Sequence, residues 1–360
     1  MLYRKYRPQK FSEVVGQEHV VTTLKGALIS GRIGHAYLFT GPRGTGKTTV
    51  ARLLAKALNC SRRDKDGGPD DSCDSCLAIS QGRSLDLIEI DGASNRGIDD
   101  IRGLKESANV AAPGGGYKVF IIDEVHMLTQ AAFNALLKLL EEPPAHVVFI
   151  LATTEPHKIL ATVLSRVQRF DFKRLSVKQV FQKLKEVAEI EKINVDDDSL
   201  VSIAVSSDGA LRDAEVALSK IQSVSRGKKV TAEEVSDLLG LIPLNYHPEF
   251  LGYLVNSDQA AALSFVNKIY ESGIDLENFT ANFINYLRKI LIFKVNPATL
   301  AAVGEELLDS EVKLISSFAG TLEPRKLVQM LNVFISAREG IKSSPITQLP
   351  LELAILELIN

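Results

Sequence analysis

The sequence predicts an α/β protein with a parallel sheet, followed by an all-helical portion. Three observations lead there. The octapeptide Gly41-Pro42-Arg43-Gly44-Thr45-Gly46-Lys47-Thr48 sits between the apolar run Ala36-Tyr37-Leu38-Phe39 and an amphipathic stretch from Thr49 to Leu58. Four further strand-like runs, near 85–91, 119–122, 147–151 and 167–172, alternate with helical patterns, as parallel sheets covered on both faces require. From about residue 173 onward only helical periodicity remains.

Composition sets the outer limits. A chain of 360 residues accommodates two or three domains. Hydrophobic residues at 45% support substantial cores, and 24% charge with a mean hydropathy of +0.06 suits a soluble protein. No apolar run reaches spanning length, and Met1-Leu2-Tyr3-Arg4-Lys5-Tyr6-Arg7 lacks the apolar core of a secretory signal, so a cytoplasmic location is expected. The net charge of −2 conceals an asymmetry: residues 1–63 hold 12 Lys/Arg against 2 Asp/Glu. That excess suits nucleotide phosphates, nucleic acid or an acidic neighbour.

In chain order, Tyr6–Gln17 has too few periodic apolar positions for a helix, and Pro8 disfavours helix at Arg7, so an extended arm is expected. Val20, Leu24, Ala27 and Leu28 mark a helix face, broken by Gly31 and Gly34. The octapeptide follows. A strand, a glycine-rich loop and a helix in that order form a phosphate-binding loop: backbone N–H groups surround phosphates, Lys47 reaches the terminal ones, and the Thr48 hydroxyl is offered to Mg²⁺.

Residues 60–76 are polar, turn-rich and hold all three cysteines. Cys73-x₂-Cys76 with Cys60 supplies three soft ligands, and Asp70, spaced as Asp70-x₂-Cys73, can complete a Zn²⁺ site. Three free thiols without metal are the competing reading. Leu85–Asp91 is expected as a strand. After the turn 92–97, Ile98, Ile101 and Leu104 form a helical stripe that leaves Arg96, Arg102 and Lys105 to solvent or phosphate.

Val119-Phe120-Ile121-Ile122 is a buried-type strand ending in Asp123-Glu124. After a phosphate loop, Asp123 there can hold Mg²⁺, and Glu124 can activate the attacking water. A helix capped by Thr129 runs to Glu141-Glu142-Pro143-Pro144. The strand Val147–Leu151 ends in Ala152-Thr153-Thr154, where a hydroxyl either senses a terminal phosphate or caps the following turn. An edge strand follows Ser165-Arg166.

Beyond it, Val180, Leu184, Val187 and Ala188, then Leu200, Ile203, Ala204 and Val205, mark two helices. Arg212 opens a third, where the positive helix end does not favour it, so a phosphate partner suits it. Thr231 with Glu234 reads as a capping box. Leu241-Ile242-Pro243 reads as a boundary. Past it come the stripes Leu263, Val266 and Ile269; Phe279, Phe283, Leu287 and Ile290; Leu327, Met330, Leu331 and Phe334; and Leu351, Ala354, Ile355 and Leu358. The expected domains are a core over 1–172 with a cysteine module at 60–76, a helical lid over 173–242, and a helical collar over 243–360.

Together these motifs resemble the bacterial DNA polymerase III gamma/tau family, the motors of sliding-clamp loaders. The resemblance runs through Tyr6-Arg7-Pro8, Val14-Val15-Gly16-Gln17, the phosphate loop, Cys60 with Cys73 and Cys76, Asp123-Glu124-Val125-His126, Ala152-Thr153-Thr154-Glu155-Pro156, Ser165-Arg166 and Gly209-Ala210-Leu211-Arg212-Asp213-Ala214. It implies an AAA+ ATPase core, a lid and a collar. Several copies would join delta and delta-prime subunits in a spiral that opens the ring clamp and sets it on primer–template DNA. It assigns Gly41, Gly44, Thr45, Gly46, Lys47, Thr48, Thr49 and Asp123 to ATP and Mg²⁺, Glu124 to hydrolysis and Thr154 to sensing the gamma phosphate. Arg166 would enter a neighbour's site, Arg212 would contact phosphate in its own, and Arg7-Pro8 with Val14-Val15 would line the adenine pocket. The implied location is the cytoplasm, at the replication fork. Two departures stand out: Asp70 replaces a fourth cysteine, and Val167 replaces a cysteine after the Ser-Arg pair. Among rivals, a branch-migration or initiator AAA+ motor calls for a C-terminal winged or helix-turn-helix domain. A merely nucleotide-responsive structural subunit sits poorly with the Lys47–Glu124 set.

Overall fold

Five strands form one parallel sheet: β1 (Ala36–Thr40), β2 (Leu87–Asp91), β3 (Lys118–Asp123), β4 (Val147–Thr153) and β5 (Gln168–Asp171). Their order is β2-β3-β4-β1-β5, with β5 at the edge, as expected from its mixed polarity. The computed structural model describes residues 1–225, 230–240, 242–243, 245–297 and 309–359. Leu241 of the expected boundary lies outside the described residues.

Alternation along the strands sends neighbouring side chains to opposite faces, and each face has its own core. Tyr37, Phe39, Val119, Ile121, Val148 and Ile150 point to one face, where they meet Val20, Leu24 and Leu28 of the helix Glu18–Ser30 and Val50, Leu54 and Ala57 of the helix Lys47–Asn59. Leu38, Phe120, Ile122, Phe149 and Leu151 point to the other, packing on Ile101 and Leu104 of the helix Ile98–Ala108 and Phe133, Leu136 and Leu140 of the helix Gln130–Glu141. The strands β1, β3 and β4, buried except at Asp123, therefore read as near-continuous apolar runs.

This face assignment places the site. The loop after β1 feeds a helix on one face, while the loop after β3 feeds a helix on the other. Such a divergence opens a crevice at the carboxyl ends of parallel strands, the usual position for a ligand. Register brings those ends level: Thr40 stands opposite Thr153, Asp91 opposite Asp123, and Ile122 opposite Leu151.

The expected arm is largely non-helical, with one addition: a 3₁₀ turn at Phe11–Glu13 buries Phe11 in the sheet's core. Glu13 drives that turn, since its carboxylate accepts from the N–H groups of Gln9 (2.7 Å) and Lys10 (3.4 Å). The helix at 130–141 begins as expected, with the Thr129 hydroxyl accepting from the Ala132 N–H.

Two compact units divide the chain: Met1–Leu175 with Gly209–Asp213, and Ser176–Asp208 with Ala214–Asn360. The described residues of the second are helical apart from connections and one isolated bridge between Val195 and Val230. Its largest core joins Phe250, Phe265, Phe279, Phe283, Leu287, Phe334 and Ile355, and Phe250 meets Phe283 edge to face at 4.9 Å. Capping boxes at Ser176–Gln179 and Thr231–Glu234 start two of its helices. Two described helices, Tyr246–Val255 and Asp309–Thr321, add to the four stripes expected from the sequence.

Candidate functional site

The loop between β1 and its helix is held open by backbone geometry. Gly41 has φ +140° and a Cβ there would collide with the Phe172 carbonyl oxygen; Gly44 has φ +77° and a Cβ would lie 2.8 Å from that of Ala210. Both positions exclude side chains, which leaves the backbone close to whatever the loop encloses. Inside, the Thr45 hydroxyl donates to the Pro42 carbonyl (2.8 Å). Lys47 is buried, and its ammonium donates to the carbonyls of Gly41 (2.7 Å) and Pro42 (2.8 Å). Burial lowers the Lys47 pKa, while the charges of Glu124 and Asp123 oppose that shift.

The strand ends supply the acidic side of the crevice. The Thr48 hydroxyl donates to Asp123 Oδ2 at 2.7 Å, joining the first turn of the loop's helix to the end of β3. Glu124 follows at φ +47°, a left-handed conformation uncommon for a residue with a side chain. This turn swings its carboxylate toward β4, where Oε2 accepts from the Thr154 hydroxyl (3.0 Å) and amide (3.3 Å). Lys47, Thr48, Asp123, Glu124 and Thr154 thus meet at one sheet edge. Gly46 and Thr49 flank Lys47 and Thr48 at the start of the helix.

The same unit holds a group of basic residues near its N-terminus. The Arg212 guanidinium lies 5.0 Å over the Tyr3 ring, within the first unit. Burial and the nearby positive charge of Arg52 lower the Arg7 pKa; Glu89 opposes them, and Arg212 adds to them. Arg52 itself is held by Glu89 of β2, with Nε to Oε1 at 2.8 Å. Pro8, Val14 and Val15 are half-buried, and Val14 packs on the sheet's core. A buried lysine and a loop of N–H donors at the start of a helix suit a polyphosphate.

Other expected residues lie elsewhere. Arg166 caps the short helix Ala161–Leu164: its guanidinium donates to the Thr162 carbonyl (2.7 Å) and pairs with Glu141 (2.9 Å). Together with His35, Val167 and Gln168 it lines a surface cavity of about 530 Å³. Arg96, Arg102 and Lys105 are exposed; Arg96 Nε donates to the Met127 carbonyl at 3.0 Å, and Arg102 pairs with Asp99 at 3.0 Å.

The cysteine module closes on itself. One ligand atom from each of Cys60, Asp70, Cys73 and Cys76 lies within 4.8 Å of all the others. Two sulfurs bound tetrahedrally to zinc at ~2.3 Å stand about 3.8 Å apart. Those of Cys60 and Cys73 are 3.9 Å apart, so the donor set and its spacing fit such an ion. Burial pushes the Cys60 and Cys76 thiols up. Asp70 is partly buried, but N–H groups of Cys73 (3.1 Å) and Ser72 (3.2 Å) outweigh that burial and hold its carboxyl well below the usual range.

Sequence patterns gave no role to His126 or Lys56 and did not separate Thr153 from Thr154; His126, Thr153 and Lys56 are all engaged. His126 bridges Thr153 and Glu155 behind Glu124. Lys56 is buried on the inner face of the loop's helix and pairs with Asp71 of the cysteine module, also reaching Gln9 Oε1 at 3.1 Å. An apolar helix face interrupted by one lysine was the available signal for Lys56.

Comparison with known proteins yields two family profiles: "DNA polymerase III, delta subunit" over residues 16–176, and "DNA polymerase III subunits gamma and tau domain III" over residues 230–360. The Bacillus subtilis DNA polymerase III subunit tau is 38% identical over 99% of this chain, which spans 62% of that relative. The Escherichia coli subunit tau is likewise 38% identical, and 54% of its length is spanned. The first relatives therefore extend well past the portion matched here. The DNA polymerase III subunit gamma of Buchnera aphidicola is 35% identical across 100% of this chain and 98% of its own length.

Proposed function

We propose, from the premise that this chain belongs to the bacterial DNA polymerase III gamma/tau family, that it is an ATP-hydrolysing subunit of a sliding-clamp loader. The observation that carries this reading is the convergence of Lys47, Thr48, Asp123, Glu124 and Thr154 at the carboxyl edge of the sheet, with the Thr48–Asp123 contact at its centre. Residues 1–172 serve as the ATPase core, 173–242 as a lid and 243–360 as a collar.

ATP enters the crevice with its phosphates against the loop N–H groups. Lys47 exchanges its carbonyl partners for terminal phosphate oxygens, a favourable change for an ammonium whose burial already disfavours its charge. Mg²⁺, held by Thr48 and Asp123, would neutralise phosphate charge. Glu124 accepts the proton of the attacking water, and Thr154 donates to the gamma phosphate. Arg7, Pro8, Val14 and Val15 surround the base, and Arg212 adds a phosphate contact. Arg166 of one copy exchanges Glu141 for a phosphate bound by its neighbour, so that hydrolysis depends on assembly.

Zn²⁺ on Cys60, Asp70, Cys73 and Cys76 would cross-link the polar module. Its role there would be structural, since four protein ligands would leave no open position. Partners in this reading are further copies of the chain, delta and delta-prime subunits, the ring clamp and primer–template DNA in the cytoplasm. DNA contact is to the backbone, with Arg96, Arg102 and Lys105 as the proposed donors, because a loader works at any sequence. No described helix is long and apolar enough to cross a membrane. Reconstitution with delta, delta-prime, clamp, primed DNA and ATP tests the proposal: ring loading that depends on this chain supports it, and none with active partners refutes it.

A further inference from the structure

We propose that His126 is a positioning residue for ATP hydrolysis, acting through Thr153 and Glu155 to hold the Glu124–Thr154 pair in register. The inference rests on the ATPase reading above. His126 lies two residues past Glu124 on the 3₁₀ turn Val125–Met127, and its side chain is 6% exposed. Nδ1 is 2.9 Å from the Thr153 hydroxyl, and Nε2 is 3.1 Å from Glu155 Oε1. The Glu155 amide donates back to the same Thr153 oxygen at 3.0 Å.

For a neutral imidazole, one placement of protons satisfies this ring of contacts. An ionised carboxylate only accepts, so Nε2 carries the proton and donates to Glu155. Nδ1 then accepts from the Thr153 hydroxyl, whose oxygen accepts the Glu155 N–H. The circuit is closed. Lys158, 2.8 Å from the other Glu155 oxygen, is the main reason that carboxyl sits below its usual range. With His126 and Thr153 buried and Glu155 about a third exposed, a hydrogen-bonded circuit of this kind stiffens what it joins.

It joins the two chemically active strand ends. Thr153 is wholly buried and, with the proton on Nε2, gives its single hydroxyl proton to His126, which leaves Thr154 as the residue whose hydroxyl meets Glu124. His126 Nδ1 also stands 3.4 Å from Glu124 Oε2, a van der Waals approach of two acceptors in this tautomer and no hydrogen bond. The imidazole is therefore packed against the back of the pair. Losing it lets the end of β4 and the left-handed Glu124 turn drift, and displacement near 1 Å at a reacting group can cost ~10²-fold in rate.

The test measures kcat, KM and equilibrium binding of a fluorescent ATP analogue on the full chain within its reconstituted assembly. His126→Ala should lower kcat ~10–100-fold while leaving nucleotide affinity within about twofold. Thr153→Val, which keeps side-chain shape and removes one hydroxyl, should do the same even if His126→Ala folds poorly. The double variant should be no slower than the worse single one, because both break one circuit. His126→Asn, which restores a polar group near Nδ1, should recover part of the rate. Unchanged kcat in both single variants, additive losses, or a loss confined to nucleotide affinity would overturn the inference. Failure of the unsubstituted assembly to hydrolyse ATP is a separate result and would refute the ATPase reading itself.

Discussion

Glu124 and Thr154 face each other across the ends of β3 and β4, with the threonine hydroxyl 3.0 Å and its amide 3.3 Å from the same carboxylate oxygen. A hydroxyl has one proton, so a Thr154 that donates to a terminal phosphate withdraws its hydroxyl from Glu124 and leaves the carboxylate only the longer amide contact. If Glu124 is the base proposed above, phosphate binding at Thr154 would remove its stronger hydrogen-bond partner in the same step. Glu124→Gln keeps an acceptor for Thr154 but cannot take a proton from water. Turnover should fall by ~10²–10⁴-fold with nucleotide binding retained. Single-turnover hydrolysis beside equilibrium binding measures both, and normal turnover would remove Glu124 from the chemistry.

The cysteine cluster predicts a metal-dependent module. Purified protein should carry close to one Zn²⁺, and Co²⁺ exchanged into it should show thiolate charge-transfer bands with tetrahedral d–d absorption. Asp70→Ala should weaken retention by at least the ~10–100-fold that outer-shell partners command, and Asp70→Cys should strengthen it. Equal metal affinity in all three proteins would show that Asp70 is not a ligand.

Lys56 links that module to the arm. Its ammonium is buried, with Asp71 as its charged partner and Gln9 contributing a backbone and a side-chain oxygen. Asp71→Ala leaves a buried positive charge with neutral partners only. Partial exposure of Asp71 lets water offset some of the loss, so destabilisation of about 1–3 kcal/mol is expected by urea unfolding. A smaller loss is expected for Lys56→Met, which removes the charge along with its requirement. The reverse ranking would contradict this account of the pair.

His247 provides a pH signature in the second unit. It stacks on Phe279 at 5.3 Å, and its Nε2 has no hydrogen-bond partner among the described residues. Burial first, then the like charge of Lys289, push its pKa down from 6.5 to about 4. The unfolded chain therefore binds the extra proton between those values, and stability is lost as pH falls from 6.5 toward 4. The loss amounts to up to about 3 kcal/mol. Isothermal unfolding at pH 7 and pH 4.5 should show a smaller drop for His247→Phe than for the unsubstituted chain; equal drops would place the acid sensitivity elsewhere.

Much of this was legible before the fold. Spacing alone located the phosphate loop, since Lys47 and Thr48 have meaning only at fixed offsets from a strand and a glycine turn. The acids at Asp123-Glu124 followed from an apolar run that ends abruptly in charge. Adjacent threonines were harder: Thr153 and Thr154 differ only in which way the last residues of β4 point, and packing decides that. The left-handed turn at Glu124 and the circuit through His126 are products of tertiary contact, invisible to periodicity. The helix Tyr246–Val255 was hidden by Pro248 and Gly252, both of which lower helical propensity. Pro248 lies in its first turn, where a missing N–H costs little. In the helix Asp309–Thr321, Ser316, Ser317 and Gly320 dilute the stripe around the buried Ile315 and Ala319.

The central claim is that one copy's pocket is completed by a neighbour's arginine. ATP turnover by the reconstituted assembly carrying Arg166→Ala, measured beside nucleotide binding, tests it most directly. Turnover should fall by ~10³-fold or more while binding stays near its original strength. Hydrolysis at the unsubstituted rate, with rings still delivered to primed DNA, would contradict it.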